Sequence, residues 1–219
     1  MNGIMHKSHG FFIAIEGIDG SGKSSLVSNL ARALEEKKHT VLKTKEPGGT
    51  ELGLQLREIL NKQRNQNQDS NNQSICDKAE FLLFAADRAQ HFKTLVIPAL
   101  EKNHIVISDR TGDSSLAYQG YGRGLDRDMI QSINIWATGE RKPNITIYIH
   151  IDAQTAYKRV ITRNKNLTSF EAESLEFWNR VGNGFDTMYA GRQDVLILDG
   201  TKNQEELCEL ALQEVLKNL

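Results

Sequence analysis

Phe11 to Glu16, FFIAIE, is an apolar run that passes directly into the glycine turn GIDGSGK and then into a helical pattern. A strand that feeds straight into a helix cannot return as a hairpin. Four more runs of strand type follow: TVLKTK at 40–45, HIVISD at 104–109, ITIYIHI at 145–151 and DVLILD at 194–199. They are short, β-branched, and apolar in runs rather than in alternation. That pattern fits strands covered on both faces.

Helix-period segments lie between these runs. Leu26, Leu30, Ala33 and Leu34 share one face, as do Met129, Ile130, Ile133 and Trp136, and Leu207, Leu210, Ala211 and Val215. Strands alternating with helices predict an α/β fold, a parallel sheet with helices on both sides. The chain has 219 residues, and neither a repeat nor an inter-domain linker interrupts it, so one domain over 1–219 is expected. The Asn/Gln-rich stretch 61–74 reads as a surface loop, and the polar stretch 163–174 as a flap.

A net charge of -1, with basic residues spread along the chain, argues against a mainly nucleic-acid-binding role. No run is long enough to span a membrane, and the first ten residues lack the apolar core of a secretion signal. Cys76 and Cys208 fit no ligand spacing and read as buried free thiols, so a cytoplasmic location is expected. His6 and His9 are spaced as a metal pair, but no further ligand is close in sequence.

Gly17-Ile18-Asp19-Gly20-Ser21-Gly22-Lys23-Ser24, followed by Ser25, fits the phosphate-loop pattern in its proper strand-to-helix context. Glycines let backbone N–H groups turn inward around phosphate oxygens. Lys23 reaches the outer phosphates in such loops, the Ser24 hydroxyl faces Mg²⁺, and the helix start favours the anion. A bound nucleotide with Mg²⁺ is therefore expected.

A GTPase would need a guanine-binding carboxylate, and Asn164-Lys165-Asn166 is followed by Leu167 instead. A phosphotransferase with a second small anionic substrate fits better. Phe84 and Arg88 lie four apart on a predicted helix, where a ring and a guanidinium can stack on a base and bond its edge. Arg110 follows the strand-end Asp109, and Ser115, Tyr118 and Gln119 share a face if the next segment is helical. Polar groups at strand C-terminal ends are expected at the crevice of an open α/β sheet.

In order and spacing, EGIDGSGKSS, KEPGGTELG, FLLFAADRAQH, DRTGDSSLAYQGYGRG and EAESLEFWNRV resemble the thymidylate kinase family. The resemblance runs from about Phe11 to Tyr189. It implies a P-loop three-layer fold with a five-stranded parallel sheet of order 2-3-1-4-5, a mobile lid at about 163–172, and a homodimer. It implies transfer of a phosphoryl group from MgATP to dTMP. In that family the counterpart of Phe84 stacks on thymine and that of Arg88 donates to O4. Ser115 and Gln119 match residues near N3, and Tyr118 matches the tyrosine at the 2′ position. Asp19 matches the acid at the 3′-OH, and Arg57 and Arg110 match arginines on the acceptor phosphate. Glu46 and Pro47 belong to the acceptor site, with a cis bond between them. Asp109, with Ser24, supports the metal and phosphates.

The chain departs from the family at three places. Lys45 stands for a usual arginine, Phe185 for a common tyrosine, and Ser169 for the usual lid arginine. Gly20 supplies no cation from inside the loop, so Arg163, with Lys165 as second choice, is expected to supply the missing charge. Catalytic roles are thus expected for Lys23, Asp19, Arg110, Arg163 and Lys165. The rival readings are another nucleoside or nucleotide kinase, such as a deoxynucleoside kinase, and a nucleotide-switch module without enzymatic activity.

Overall fold

A computed structural model describes residues 10–62, 75–163, 167–168 and 170–219. His6, His9, Lys165 and Ser169 lie outside the described residues. Five parallel strands, β1 (Phe11–Glu16), β2 (Val41–Lys45), β3 (Ile105–Asp109), β4 (Ile145–His150) and β5 (Val195–Asp199), form one sheet in the order β2-β3-β1-β4-β5. The expected order is the observed one. Each strand begins and ends within one residue of its sequence-predicted bounds.

The helices are α1 (Lys23–Glu36), α2 (Glu51–Lys62), α3 (Asp77–His91), α4 (Ile97–Glu101), α5 (Gly112–Ser115), α6 (Arg127–Thr138), α7 (Ala153–Thr162), α8 (Leu175–Tyr189) and α9 (Gln204–Asn218). A π-helical turn, Phe92–Val96, joins α3 to α4, and a longer one, Leu116–Gly122, continues α5.

β1 is central, with Ile13 in register with Ile107 on one side and Ile145 on the other. Odd positions of β1 pack under α1 and α9, where Ile13 and Ile15 meet Leu26, Leu30, Leu34, Leu207 and Val215. On the opposite face Phe12 packs with Phe92 and Val106. This two-sided burial is the reason β1 carries no alternating pattern. The edge strands β2 and β5 are only half covered, so the expectation of full burial holds for β1, β3 and β4.

Two helix faces differ from expectation. On α6 Ile130 is buried, but Met129 is 59% and Trp136 80% exposed. On α9 Leu210 faces outward. Cys76 is exposed and Cys208 half-buried, both as free thiols. Among the described residues no helix is long and apolar enough to cross a membrane.

Because all strands are parallel, their C-terminal ends share one edge. There β1 delivers the glycine loop, β2 delivers Glu46-Pro47, and β3 delivers Asp109-Arg110. The chemistry gathers at that edge.

Candidate active site

A cleft of about 540 Å³ opens along this edge. Lys23, Ser24 and Asp109 line one part of it, and Phe84, Arg88, Ser115 and Gln119 another. Asp19, Arg110 and Tyr118 line it as well.

The glycine loop takes left-handed backbone at Gly20 (φ +80°) and Gly22 (φ +102°). A side chain at Gly20 would also meet the Ala156 carbonyl at 2.5 Å. Lys23 is buried, and its Nζ donates to the Ile18 carbonyl at 2.9 Å. Burial and the neighbouring Arg110 charge lower its pKa to about 8, against the pull of Asp19 and Asp109. The Ser24 hydroxyl donates to Asp109 Oδ2 at 2.6 Å. This hydroxyl–carboxylate pair offers the hard oxygen donors that suit Mg²⁺, an ion usually bound through one or two protein oxygens plus phosphates and water. Among the described residues no cluster of three or more His, Cys, Asp or Glu is placed to hold a metal alone.

Arg110 has an unusual φ of +78° for a non-glycine residue, a strained geometry of the sort found at functional sites. Its fork is fully directed. Nη1 donates to the Gly17 carbonyl (2.9 Å) and Ser114 Oγ (3.0 Å). Nη2 donates to Asp19 Oδ1 (2.6 Å) and to the Tyr118 hydroxyl (3.1 Å). The Tyr118 hydroxyl in turn donates to Asp19 Oδ2 at 3.1 Å. Burial works against the Asp19 charge, but Arg110 and Lys23 outweigh it and bring its pKa down to about 2.

Beneath this cluster lies Glu16, fully buried. It accepts from the Thr111 N–H (2.7 Å), the Thr111 hydroxyl (2.9 Å) and the Ser114 hydroxyl (2.6 Å). Glu16 thus ties β1 to the turn that carries Arg110. Burial first, and then the charge of Asp113, push its pKa up to about 7.

On α3 the residues Phe84, Asp87, Arg88 and His91 are spaced i, i+3, i+4, i+7 and share one face. Arg88 is 1% exposed. Its Nε donates to Glu46 Oε2 (2.8 Å) and its Nη1 to Asn134 Oδ1 (2.6 Å). Its Nη2 donates to Ser115 Oγ (3.1 Å) and the Thr111 carbonyl (3.3 Å). Four of the five guanidinium N–H groups thereby have protein partners. Glu46 lines the cleft, but its carboxylate is engaged by Arg88 and by His91 Nδ1 at 2.9 Å. Burial opposes that charge, and Arg88 and His91 overcome it, leaving the Glu46 pKa lowered. The Glu46–Pro47 bond is cis, as the resemblance implies. Arg57 Nη1 donates to the Pro47 carbonyl (2.8 Å), and the Gly48 N–H donates to Asp87 Oδ1 (3.2 Å). Two helices therefore hold this turn from outside.

Phe170, just before α8, places its ring 5.8 Å from Phe84 and 5.6 Å from Tyr118. Arg163 lines the cleft and is paired with Glu171.

Several residues at the site are absent from the sequence reading. Arg159 lines the cleft four residues before Arg163, a spacing that could have flagged it. Asn134 and Glu16 carry no local signal, because their partners lie 46 and about 95 residues away. Phe170 sits in a polar stretch and gives no sign of a ring contact.

The sequence model of the family described as thymidylate kinase matches residues 15–210. The chain belongs to the thymidylate kinase family. It is 41% identical over 203 residues to a thymidylate kinase of Maridesulfovibrio salexigens, covering 90% of each chain. It is 39% identical over 208 residues to one of Kosmotoga olearia, covering 94% of this chain and 95% of the relative. The crystal structure of thymidylate kinase from Ehrlichia chaffeensis superposes with a TM-score of 0.74 at 28% identity. That match covers 94% of this chain and 99% of the other.

Proposed function

We propose that this protein is a dTMP kinase that transfers the γ-phosphoryl group of MgATP to dTMP, giving dTDP and ADP. The observation that carries the reading is the continuity of one cleft from the phosphate loop, past Asp19–Arg110–Tyr118, to Phe84, Arg88 and Gln119. A donor site and an acceptor site meet at a charged junction, as in-line transfer between two anions requires.

Loop residues 17–25 cradle the ATP phosphates. Lys23 and Arg110 supply positive charge where two phosphates approach, and positioned charge is the main source of catalysis in such transfers. Ser24 and Asp109 would hold Mg²⁺, which would supply further positive charge for the transfer. Asp19, fixed by Arg110 and Tyr118, takes the 3′-OH, and the Tyr118 ring occupies the 2′ side. Arg57 meets the acceptor phosphate beside Pro47. Phe84 stacks on the base, with Arg88, Ser115 and Gln119 along its edge. Glu46 acts through Arg88, which it braces. The lid at 163–172 brings Arg163, or Lys165, to the outer oxygens, with Arg159 as a further cation on the same side.

The reaction needs one kinase domain over 1–219 and fits a cytoplasmic enzyme of dTTP synthesis. A homodimer is supported by exposed apolar side chains on α2, α3 and α6, which pack side by side. The test is ADP release measured with dTMP, dUMP, dCMP, dGMP and thymidine as acceptors. dTMP is expected to give the highest kcat/KM and thymidine none. Turnover of thymidine in place of dTMP, or ATP turnover that needs no acceptor, would overturn the assignment.

A further inference from the structure

Thymine presents O4 as an acceptor and N3–H as a donor along its pairing edge, and cytosine reverses both. A glutamine amide beside that edge can offer either its oxygen or its nitrogen, so its other neighbours must fix the choice. Gln119 is buried and lines the cleft. Its Nε2 donates to Glu80 Oε1 at 2.9 Å. Glu80 is buried too, and Arg123 grips it, with Nε 3.3 Å from Oε1 and Nη2 3.4 Å from Oε2. Both Glu80 oxygens accept from that guanidinium. Only the amide nitrogen of Gln119 can therefore pair with it, and the amide oxygen is left for the cleft.

We infer that Glu80, oriented by Arg123, is a specificity-determining positioning residue that locks the Gln119 amide with its acceptor toward the base. The lock selects pyrimidines that carry an N3–H donor and disfavours cytosine, whose N3 is an acceptor. Arg123 Nη2 also pairs with Glu173 at 2.9 Å, just past the lid. One arginine thus joins the lid's end to the carboxylate that sets the amide. The inference rests on the reading that the base lies against Gln119.

Titration calorimetry with dTMP and dCMP tests it, melting curves first establishing that each variant is folded. In Glu80→Gln the new amide can donate as well as accept, so Gln119 is free to turn. The ratio of the dCMP and dTMP dissociation constants is expected to narrow by about tenfold, the scale of one exchanged hydrogen bond. Arg123→Gln, which leaves Glu80 in place but unclamped, is the second variant and is expected to narrow the same ratio. Equal weakening of both nucleotides, with the ratio unchanged, means that Glu80 and Arg123 only support the fold and overturns the inference. Gln119→Ala separates the two levels of the argument. If it leaves dTMP affinity unchanged, the base does not lie against Gln119, and the reading and the inference fail together. If it weakens dTMP while Glu80→Gln and Arg123→Gln spare the ratio, only the inference fails.

Discussion

At the residue scale, the cleft joins groups that lie close together in sequence to supports drawn from far along the chain. Lys23, Ser24, Arg88 and Arg110 belong to short contiguous patterns, so their types and spacing announce them. Glu16, Asn134 and Asp87 act across the fold, and nothing local marks them. Lys23 and Glu16 titrate in testable ranges. Lys23 has its pKa lowered to about 8 by burial and the Arg110 charge. In the free enzyme it loses its proton above that pH, and with it the charge that receives phosphate. The kcat/KM for ATP is expected to fall about tenfold per pH unit above roughly pH 8, because this ratio reports the free enzyme. The profile of kcat should be flatter, since bound phosphates restore the lysine charge. A kcat/KM that stays level to pH 9.5 would contradict the assignment. Glu16 shows the opposite linkage. Its pKa is raised to about 7 from the ordinary 4.5. Between those values the folded carboxyl keeps a proton that the unfolded one has released. This group therefore contributes less stability as pH rises from about 4.5 through 7. Glu16→Gln keeps the shape and cannot ionise. Its Tm minus the wild-type Tm is expected to increase from pH 5 to pH 8, by several degrees for a stability change of about 2 kcal/mol. A difference independent of pH would show that Glu16 does not titrate there.

At the element scale, the strands were readable to within a residue because burial on both faces writes itself as continuous apolar sequence. The helices were harder, because an apolar residue at helical spacing does not say which side is covered. α3 shows what spacing alone concealed. One face carries Phe84 and Arg88, which line the cleft, and Asp87 and His91, which brace the Glu46–Gly48 turn. Pairing Phe84 with Arg88 was possible from sequence. Linking Asp87 to Gly48 required the fold. α2 packs tightly against this brace. A Cβ at Gly53 would lie 2.1 Å from Asp87 Oδ1 and 3.1 Å from the Gly48 backbone. Asp87 is fully buried and has little room to retreat. Gly53→Ala is therefore expected to cost about 1–3 kcal/mol in stability, as overpacking does, and to displace the turn. Its KM for dTMP should rise while its KM for ATP stays near wild type, because the phosphate loop stands on a different strand. Equal changes in both constants would show that the turn does not serve the acceptor alone.

At the scale of the whole molecule, the sheet order and the edge that gathers the site follow from five parallel strands. The outer surface does not. Met129 and Trp136 read as core on helical spacing, yet both face outward. They are seven apart on α6, as Leu52 and Ile59 are on α2, and Leu82 is exposed on α3 between those helices. Apolar side chains on three adjoining helices form the kind of surface that a second copy of the chain covers. The same helices line or support the cleft on their inner sides. α3 turns Leu82 out and Arg88 in, and α6 turns Trp136 out and holds Arg88 through Asn134. A second copy on this surface would brace the cleft from behind. Trp136→Glu places a charge at the most exposed aromatic of this surface. An interface tryptophan of this kind commonly contributes about 2 kcal/mol or more, so the dimer dissociation constant is expected to rise by at least about thirtyfold. Light scattering coupled to size exclusion should show the wild type at twice the chain mass and the variant as a monomer at low micromolar concentration. In the monomer the KM for dTMP should rise several-fold and the KM for ATP should not move. A wild-type protein that runs as a monomer, or a variant that stays dimeric, would place the interface elsewhere. A monomeric variant with an unchanged dTMP KM would leave the interface standing and remove its bracing role.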